Sequence, residues 1–469
     1  MISRRDFLCA GMATLGTQAL PLGAVADGSP NLRLGVISDI HISRLWKQEI
    51  YLEKALRWLD SQSVDAVIVP GDIAHSGLIS EFERFAAIWF KVFPEDHGAD
   101  GRHVERLFVT GNHDIDAWWD PKDVEGRRKK AFHCGDNAKK VWERLFHEDW
   151  QLIWSKEVKG YRFVGAQWSS LKPPLEEYFN QNAAMFDAKR PFFFIQHEHP
   201  SKTCHGRHNG VYVDSDRGES VRALNPFPMA VAITGHTHFP LTDDAMVWQG
   251  RFTSIGAGCL REGSVDSAHG YDSTHAFWDK RRFGDRMKPL AYEEGRCGLL
   301  LDVYDDKLIV HRQSFEYDCP LESDLSVPLP AVVGGEFDHG RRKSCRSAPQ
   351  FAPDAVVKAV VCAVAPTEVA GPGLQGKPCV HVSFPCAQTV RECRVFDYVV
   401  TMRTDGKPPI VRTVLAPGFH VPERYAKRDG HCLFGIDELP TGTELRFEVV
   451  PRDCYGVAGK GLVSQGVRL

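Results

Sequence analysis

Short polar blocks that combine carboxylate, amide and imidazole side chains recur between Asp39 and His238 of this chain. The blocks are Asp39-Ile40-His41, Gly71-Asp72, Gly111-Asn112-His113-Asp114, Gln196-His197-Glu198-His199-Pro200 and Gly235-His236-Thr237-His238. These groups bind divalent cations that accept oxygen and nitrogen donors, and no thiolate stands among them. The residue types therefore predict a metal site built from oxygen and nitrogen ligands.

Each block directly follows an apolar run that is typical of a buried β-strand. The runs cover residues 32–38, 64–69, 104–110, 191–196 and 229–234. In open α/β sheets, ligands bind beyond the carboxyl ends of the strands, so blocks far apart in the sequence can meet in one crevice. We expect Asp39, Asp72, Asn112, His197 and His236 to converge there.

Two neighbouring divalent ions need a ligand that lies between them. A carboxylate has two oxygens and bridges easily, whereas an imidazole does not, so Asp72 is the natural bridge. Two such ions lower the pKa of a shared water, orient a phosphoryl group and stabilise the attacking and leaving oxygens. This chemistry requires no nucleophile from the protein.

The bulk composition limits the class of protein. At 469 residues the chain is too long for one ordinary core, so two domains are expected. A hydrophobic content of 43% and a charged content of 25% are typical of a soluble globular protein. The net charge of −4 gives no general attraction to nucleic acid, so no nucleic-acid partner is expected.

The N-terminus predicts a targeting segment rather than part of the fold. Arg4 and Arg5, with Asp6-Phe7-Leu8, match the twin-arginine export pattern. An apolar stretch follows to Val25, and Ala24-Val25-Ala26 offers a cleavage site. We predict that residues 1–26 are a signal peptide and that the mature protein is periplasmic or extracellular. No other run predicts a transmembrane segment.

The rest of the chain divides by its periodicity. Alternating strands and helices predict a layered α/β catalytic domain over residues 30–320, and Ser80 with Glu83 predicts a helix cap. Residues 321–353 are rich in Pro, Gly and charge and predict a linker. Residues 354–469 alternate with a period of two, which predicts an all-β sandwich. This domain is expected to pack beside the site or to bind a surface, a partner or a glycan. Its end, residues 439–456, resembles the last strands of a fibronectin type III domain.

The five blocks, in this order, resemble the calcineurin-like metallophosphoesterase family over about residues 32–312. The resemblance implies a layered αββα sandwich and two divalent ions, Mn, Fe or Zn. It implies an enzyme that hydrolyses mono- or diesters of phosphate on small molecules by a metal-bridged hydroxide, and the predicted signal peptide adds the expectation that this enzyme is exported. One ion would be held by Asp39, His41, Asp72 and His238, and the other by Asp72, Asn112, His197 and His236.

The resemblance also implies roles for the remaining residues of the third block. His113 would lie near the leaving group, as a general acid or as a donor to a phosphoryl oxygen. Asp114 would either orient His113 or cap the following turn. In the related purple acid phosphatases a metal-binding tyrosine follows the Gly-Asp block, whereas His75 stands there in this chain. That difference argues against a tyrosinate–iron site.

Two other functions stay open from sequence. One is a nucleotide or cyclic-nucleotide phosphodiesterase, and the other is an extracytoplasmic binding protein with structural metals.

Several further residues are weaker candidates for the site. His199 either contacts phosphate or is a structural residue at the strand end, and the structural role is favoured. Cys204, His205 and His208 lie in a loop that either shapes the pocket or is solvated, and solvation is favoured for the histidines. Residues 127–130 either steer an anionic substrate or form a solvated helix face, which is favoured, and Arg261 and His269 are weak candidates for substrate contact.

Cysteine usage gives a separate expectation. The chain has 13 cysteines, too few for a disulfide scaffold, and contains no CxxC pair of the kind that holds structural zinc. In an oxidising compartment, one or two bridges are expected within a C-terminal group of cysteines. That group comprises Cys379, Cys386, Cys393, Cys432 and Cys454.

Overall fold

The computed structural model describes residues 28–43, 47–115, 130–133, 136–168, 174–186, 188–207, 217–261, 264–266, 287–289, 295–367, 369–370, 374–388, 394–426 and 428–469. The predicted signal peptide, residues 127–129, His208, His269 and Cys393 lie outside the described residues. Residues 31–469 form one compact unit. Among the described residues, no helix has the length and apolarity needed to cross a membrane.

Strands and helices alternate through the first part of this unit. The strands are β1 Leu32–Val36, β2 Ala66–Pro70, β3 Glu105–Val109, β4 Ile153–Val158, β5 Tyr161–Ala166, β6 Phe192–Ile195, β7 Ala230–Thr234, β8 Val247–Gln249, β9 Thr253–Gly256, β10 Ser264–Asp266, β11 Met287–Pro289, β12 Cys297–Val303, β13 Lys307–Ser314, β14 Cys319–Pro320 and β15 Leu325–Pro328. The helices are α1 Lys47–Ser61, α2 Ile79–Val92, α3 Asn112–Ile115, α4 Asn137–Phe146, α5 Leu175–Gln181 and α6 Glu219–Leu224.

Two mixed sheets form the centre of this part. The first has the order β14-β13-β12-β1-β2-β3, with β15 paired to β13, and β1, β2 and β3 are parallel. The second has the order β4-β5-β6-β7-β9-β8, and β5, β6, β7 and β9 are parallel. Parallel strands end at the same edge of a sheet, which brings the polar blocks of each sheet together.

Three apolar layers hold the sheets and helices in place. Leu34 and Ile68 of the first sheet pack against Phe163 and Ile233 of the second. Phe85 belongs to the layer between the first sheet and helices α1, α2 and α4. A third layer joins the second sheet to helices α5 and α6. The order is helix, sheet, sheet, helix, which confirms the predicted αββα architecture.

Helix α2 begins earlier than the predicted cap. The Glu81 carboxylate accepts hydrogen bonds from the backbone N–H groups of Ser76 and Leu78, at 2.9 and 3.2 Å. Glu81 therefore satisfies donors that the helix leaves open at its start. The predicted cap at Ser80 and Glu83 is wrong by two residues, because both lie inside the helix.

The segment predicted as a linker is packed rather than extended. It contains β15, which pairs with β13, and helix α7 His339–Cys345. Val327 and Phe337 are buried in the core between the two sheets. Single apolar residues spaced without periodicity anchor this stretch, which explains why the pattern resembled a linker.

The C-terminal part contains two antiparallel sheets. Its strands are β16 Lys358–Cys362, β17 Cys379–Pro385, β18 Val395–Arg403, β19 Ile410–Leu415, β20 Asp429–Gly435, β21 Glu444–Asp453, β22 Leu462–Val463 and β23 Val467–Arg468. Sheet β16-β17-β20 and sheet β19-β18-β21-β22, with β23 on β21, enclose one core. The alternating residues Val380, Tyr398 and Phe447 are fully buried in it, which confirms the predicted β-sandwich. A fibronectin type III relationship stays a prediction.

The two parts share residues at their boundary. Ala245, which lies seven positions after Gly-His-Thr-His ends at His238, is fully buried in the core of the β-sandwich. Its neighbour Asp244 forms an ion pair with Arg346 at 2.8 Å, and Arg346 lies over the ring of Tyr455 at 4.9 Å. The loop that follows Gly235-His236-Thr237-His238 is therefore fixed by its contacts with the C-terminal part.

Candidate metal centre

Asp72 occupies the middle of the polar blocks. It follows β2 and is almost completely buried. One of its oxygens, Oδ2, lies 3.5 Å from His41 Nε2 and 3.2 Å from His197 Nε2. His41 follows β1 of the first sheet and His197 follows β6 of the second. One carboxylate oxygen thus lies between imidazoles from both sheets, which is the position a bridging ligand needs.

The first donor set lies on the His41 side of Asp72. Asp39, His41, Asp72 and His238 each offer one ligand atom, and these atoms lie within 4.8 Å of one another. His238 Nε2 is 3.1 Å from Asp39 Oδ1 and 3.1 Å from His41 Nε2. Buried nitrogens and carboxylate oxygens that converge on one point fit a divalent cation such as Mn, Fe(II) or Zn.

The second donor set lies on the His197 side. His197 Nε2 is 3.0 Å from Asn112 Oδ1, and the His236 ring centroid is 4.8 Å from that of His197. His197 Nδ1 donates to the carbonyl of Pro70 at 2.7 Å, which directs Nε2 to the cluster. The structure therefore brings all seven predicted ligand residues together, and their role as ligands stays a prediction.

Glycines in the blocks permit this close approach. A Cβ atom added at Gly111 would lie 2.2 Å from Asp72 Oδ1, and one at Gly235 would lie 2.0 Å from Ser38 Oγ. Both distances are far below van der Waals contact, so any side chain would displace these ligand loops. The glycines of Gly111-Asn112-His113 and Gly235-His236 are therefore required by packing.

The backbone of the ligand loops is strained. Asp39, His41, Asp72, His236 and His238 all have positive φ, between 50° and 74°. Non-glycine residues adopt this left-handed conformation at a cost, and such residues cluster at functional sites. The chain therefore turns at these positions, just past the ends of β1, β2 and β7, instead of continuing along the sheet.

Burial and close charges shift the pKa values in the cluster. Burial alone would raise the pKa of Asp72, but the imidazoles of His197 and His113 outweigh it and hold the pKa well below its usual range. Burial lowers the pKa of His197, yet the Asp72 carboxylate raises it to about 10. Burial and His197 lower the pKa of His236 to about 3. A cation that binds here must displace the proton of His197, so binding depends on pH.

The chain also matches a known protein family. Residues 32–240 match the family described as calcineurin-like phosphoesterase. This segment is a calcineurin-like phosphoesterase domain. The prediction of a metal-dependent phosphoester hydrolase is confirmed at this level, and the Asp72 cluster lies within the matched segment. No curated protein shows significant similarity to the chain.

Several solved structures resemble part of this chain at low identity. A dimetal phosphatase from Danio rerio is 11% identical with a TM-score of 0.38, and the match covers 64% of this chain and 99% of that one. Purple acid phosphatase PPD1 from yellow lupin seeds, Lupinus luteus, is 12% identical with a TM-score of 0.39, over 64% and 55% of the two chains. Phosphopantetheinyl hydrolase from Mycobacterium tuberculosis is 14% identical with a TM-score of 0.28, over 48% and 89%. At these values the similarities support no inference about substrate or metal.

Asp114 holds two ligand loops of the phosphoesterase domain together and does not orient His113. Its oxygens accept the backbone N–H groups of Gly111 at 2.8 Å, Ala74 at 2.7 Å and Ile73 at 3.2 Å. Burial and the Asp72 carboxylate raise the pKa of Asp114 to about 8, against the effect of these three donors. The predicted catalytic role of Asp114 is therefore corrected to a positioning role, because both oxygens face the backbone.

His113 is oriented by a different group. The ring nitrogen Nδ1 of His113 donates to the backbone carbonyl of His75 at 2.8 Å, and the backbone N–H of His113 donates to Asp72 Oδ1 at 2.9 Å. The rings of His75 and His113 stack with centroids 5.3 Å apart. The bond to a carbonyl fixes a hydrogen on Nδ1, so Nε2 is the nitrogen that can exchange a proton.

Two histidines behind the phosphoesterase site are buried. His199 lies between the hydroxyls of Thr234 and Thr237, at 2.6 and 2.9 Å, in agreement with the structural role expected for it. His205 is 2% exposed and stacks on Phe239 with centroids 4.3 Å apart. The prediction that Cys204 and His205 lie in a solvated loop is wrong, because both side chains are buried and His205 Nε2 lies 3.4 Å from Asp243 Oδ2.

Sequence reasoning missed one residue and undervalued another. The Trp168 ring lies 5.7 Å from that of His236 and 6.0 Å from that of His197, and thus borders the second donor set. Trp168 lies just past the end of β5, so the strand-end rule that located the ligands would also have located it. Arg261 places Nη1 3.3 Å from His75 Nδ1, although no strand end or motif marks it.

Proposed function

We propose that this protein is an exported two-metal phosphoesterase that hydrolyses phosphate mono- or diesters of small molecules. The observation that supports it best is the Asp72 carboxylate between two convergent donor sets. The family match at residues 32–240 supports the reaction class. Export is supported only by the predicted twin-arginine signal at residues 1–26.

The donor sets define which residues would hold the ions. Asp39, His41 and His238 would complete the first site with Asp72, and Asn112, His197 and His236 the second. Two bound ions supply Lewis acidity and lower the pKa of a coordinated water. Hydrogen bonds from the chain orient the Asp39 carboxylate. Ser38 Oγ donates to Asp39 Oδ2 at 2.6 Å, and the backbone N–H of His236 donates to the same oxygen at 3.0 Å.

His113 would act on the leaving oxygen. With Nδ1 fixed as the donor to the His75 carbonyl, Nε2 is left to deliver a proton to the departing alkoxide or a hydrogen bond to a phosphoryl oxygen. The stacked His75 ring and the edge contact with His41, centroids 4.5 Å apart, restrict rotation of the His113 ring. His113 therefore delivers its proton from a fixed position beside the first donor set.

Turnover of two synthetic esters tests the reaction. Mature protein stripped of metal receives Mn²⁺, Zn²⁺ or Fe²⁺ and is assayed with p-nitrophenyl phosphate and bis-p-nitrophenyl phosphate. We expect metal-dependent turnover that Asp72→Asn abolishes and Asp338→Asn leaves intact, because Asp338 caps the distant helix α7. No turnover of either ester by protein carrying two ions would refute the proposal and favour a binding protein with structural metals.

Export is tested separately. We expect Arg4→Lys combined with Arg5→Lys to retain the precursor in the cytoplasm, since the twin-arginine pair is the recognised signal. Cell fractionation and the mass of the N-terminal peptide report the result. Release of the double variant at the wild-type level, with normal processing, would refute this part of the proposal.

A further inference from the structure

A group of cationic and imidazole side chains lies beside the first donor set. His41, His75 and His113 bring one ring nitrogen each within 4.8 Å of one another. His75 Nδ1 is 3.4 Å from His41 Nδ1 and 3.3 Å from Arg261 Nη1. We call His75, His113 and Arg261 the donor wall, because their polar atoms are nitrogens that can donate hydrogen bonds.

The donor wall is not suited to a third metal ion. The Arg261 guanidinium always carries a positive charge, and it lies within hydrogen-bond distance of the His75 nitrogen that an ion would need. Two like charges at such a separation repel strongly in a buried site. The wall therefore suits an anion and not a cation.

Arg261 is held in position by the fold. Its side chain is 6% exposed, and the preceding residue, Leu260, is buried and donates its N–H to the carbonyl of Ser38 at 2.9 Å. Ser38 directly precedes the ligand Asp39. This hydrogen bond ties the backbone next to Arg261 to the loop that carries Asp39 and His41.

The charge of the wall distinguishes two classes of phosphate ester. A monoester dianion carries two charges and three terminal oxygens, whereas a diester carries one charge and two such oxygens. A guanidinium fork matches phosphate oxygens in pairs and binds a dianion more strongly than a monoanion. Together with the proposed function, on which it rests, this geometry leads us to propose that Arg261, oriented by His75, binds a terminal oxygen of the substrate and makes phosphomonoesters the preferred class.

Binding of inorganic phosphate is the direct test, because phosphate is itself a dianion near neutral pH. Calorimetry on the Mn²⁺-loaded full chain compares wild type with Arg261→Gln and Arg261→Lys. We expect Arg261→Gln to weaken phosphate binding and to lower kcat/KM for p-nitrophenyl phosphate by about 10–100-fold, the effect of one charge-assisted hydrogen bond. For bis-p-nitrophenyl phosphate, kcat/KM should change less than about threefold. Arg261→Lys keeps the positive charge but not the planar pair of donors, so its phosphate affinity and its kcat/KM for p-nitrophenyl phosphate should lie between those of wild type and Arg261→Gln.

Arg251→Gln is the matched control, because Arg251 is an exposed arginine in the bend between β8 and β9. Metal content and the unfolding midpoint are measured for every variant. If Arg261→Gln does not fold, Arg261→Lys replaces it in the comparison with wild type. Unchanged phosphate affinity in a folded Arg261 variant would overturn the proposal, as would equal losses for the two esters. Phosphate binding that depends on Arg261 without turnover of either ester would support the anion site and refute the proposed function.

A second inference comes from the β-sandwich. Cys362 at the end of edge strand β16 lies directly opposite Cys379 at the start of β17 in the antiparallel register. Directly paired residues have Cα atoms about 4.5 or 5.5 Å apart, and both values fall within the range that a disulfide spans. Cys379 is buried beside Leu374 and Leu433, with Cys362 packed against this small cluster.

We infer that Cys362 and Cys379 form a disulfide when the protein meets a disulfide oxidant such as oxidised glutathione. The Cys362 thiolate would displace one glutathione thiolate and form a mixed disulfide. The Cys379 thiolate would then attack the Cys362 sulfur and release the second glutathione, with both protons passing to solvent. Burial and the neighbouring Cys362 raise the pKa of Cys379 to about 11, which disfavours Cys379 as the first nucleophile, whereas its position opposite Cys362 makes the second step intramolecular.

Peptide mapping of the full chain after treatment with oxidised glutathione tests this pairing. We expect the Cys362 and Cys379 peptides to be joined, two hydrogens lighter than their sum, and the melting temperature to rise by about 3 °C. Cys345→Ser, which removes an exposed cysteine, should leave the bond intact, and Cys362→Ser should abolish it. Alkylation of both cysteines after oxidation, or pairing of Cys379 with another cysteine, would overturn the inference.

Discussion

Replacing Asp114 should destabilise the fold and misplace the ligands at the same time. Its carboxylate is fully buried and joins the loop that follows β2 to the loop that follows β3 by accepting three backbone N–H groups. In Asp114→Asn, one oxygen becomes an NH₂ group that faces an N–H donor. The variant therefore leaves at least one buried donor without an acceptor.

The magnitude follows from the number of hydrogen bonds. A buried donor without a partner costs about 1–3 kcal/mol, so Asp114→Asn, which leaves at least one donor unpaired, should lose at least ~1–3 kcal/mol, and Asp114→Ala, which leaves all three unpaired, ~3–9 kcal/mol. The larger loss approaches the whole stability of an ordinary domain, about 5–15 kcal/mol. Asp338→Asn is the matched control: Asp338 caps α7 by accepting the Arg341 N–H, and asparagine caps a helix equally well.

Urea unfolding and turnover of p-nitrophenyl phosphate, with Mn²⁺ present at one pH, separate stability from chemistry. We expect the loss of turnover to follow the loss of stability, because a shift of the Asp72 and Asn112 loops displaces their donor atoms. Unfolding free energies of Asp114→Asn and Asp114→Ala within about 1 kcal/mol of wild type would refute the positioning role. Lost turnover at full stability would instead show that Asp114 acts on His113 or the substrate.

Three further predictions concern pH, metal and the C-terminal part. Although burial lowers the pKa of His311, its hydrogen bonds to Asp302 and Asp324 raise it to about 9, above an unfolded value near 6.5. His311→Gln should therefore lose about 1 kcal/mol in chemical unfolding below pH 6.5, and this difference should vanish as pH rises through 9; a constant difference would contradict the assignment. Removing metal with a chelator should lower the melting temperature and Mn²⁺ should restore it, with an affinity that increases from pH 6 to 8, because binding displaces the proton that a pKa of about 10 keeps on His197 over this range; calorimetry that shows no pH dependence would contradict this. Deleting residues 354–469 should give insoluble protein, because Ala245 and Asp244 lose their partners, and a soluble, folded fragment by circular dichroism would argue against it.

The periodicity of apolar residues predicted the strands, their ends and the core of the β-sandwich. Apolar runs followed by polar blocks located the strands and their ends, and the rule that parallel strands end at one edge placed Asp72 and His197 together. The alternation at Val380, Tyr398 and Phe447 predicted a core that the structure shows. These features succeed because burial on one face of an element imposes its period on the sequence.

The remainder depends on contacts between segments distant in sequence. Arg261 reaches the site through a backbone bond from Leu260 to Ser38, more than 200 positions away, and no periodicity encodes it. Asp114 was ambiguous because the Ala74 and Ile73 donors lie on another loop. The supposed linker carries single buried residues that a periodic pattern cannot distinguish from solvent-exposed ones.

The left-handed backbone at the ligand positions determines how this centre can be lost. Asparagine and glycine tolerate positive φ, whereas β-branched residues do not, so substitutions at Asp39, His41, Asp72, His236 and His238 differ in their effect on the fold even when each removes a donor. In a saturation library, asparagine at these positions should give folded, metal-deficient protein, and valine or isoleucine should give little soluble protein. Homologues that have abandoned the chemistry should for the same reason accumulate asparagine and glycine at these five positions.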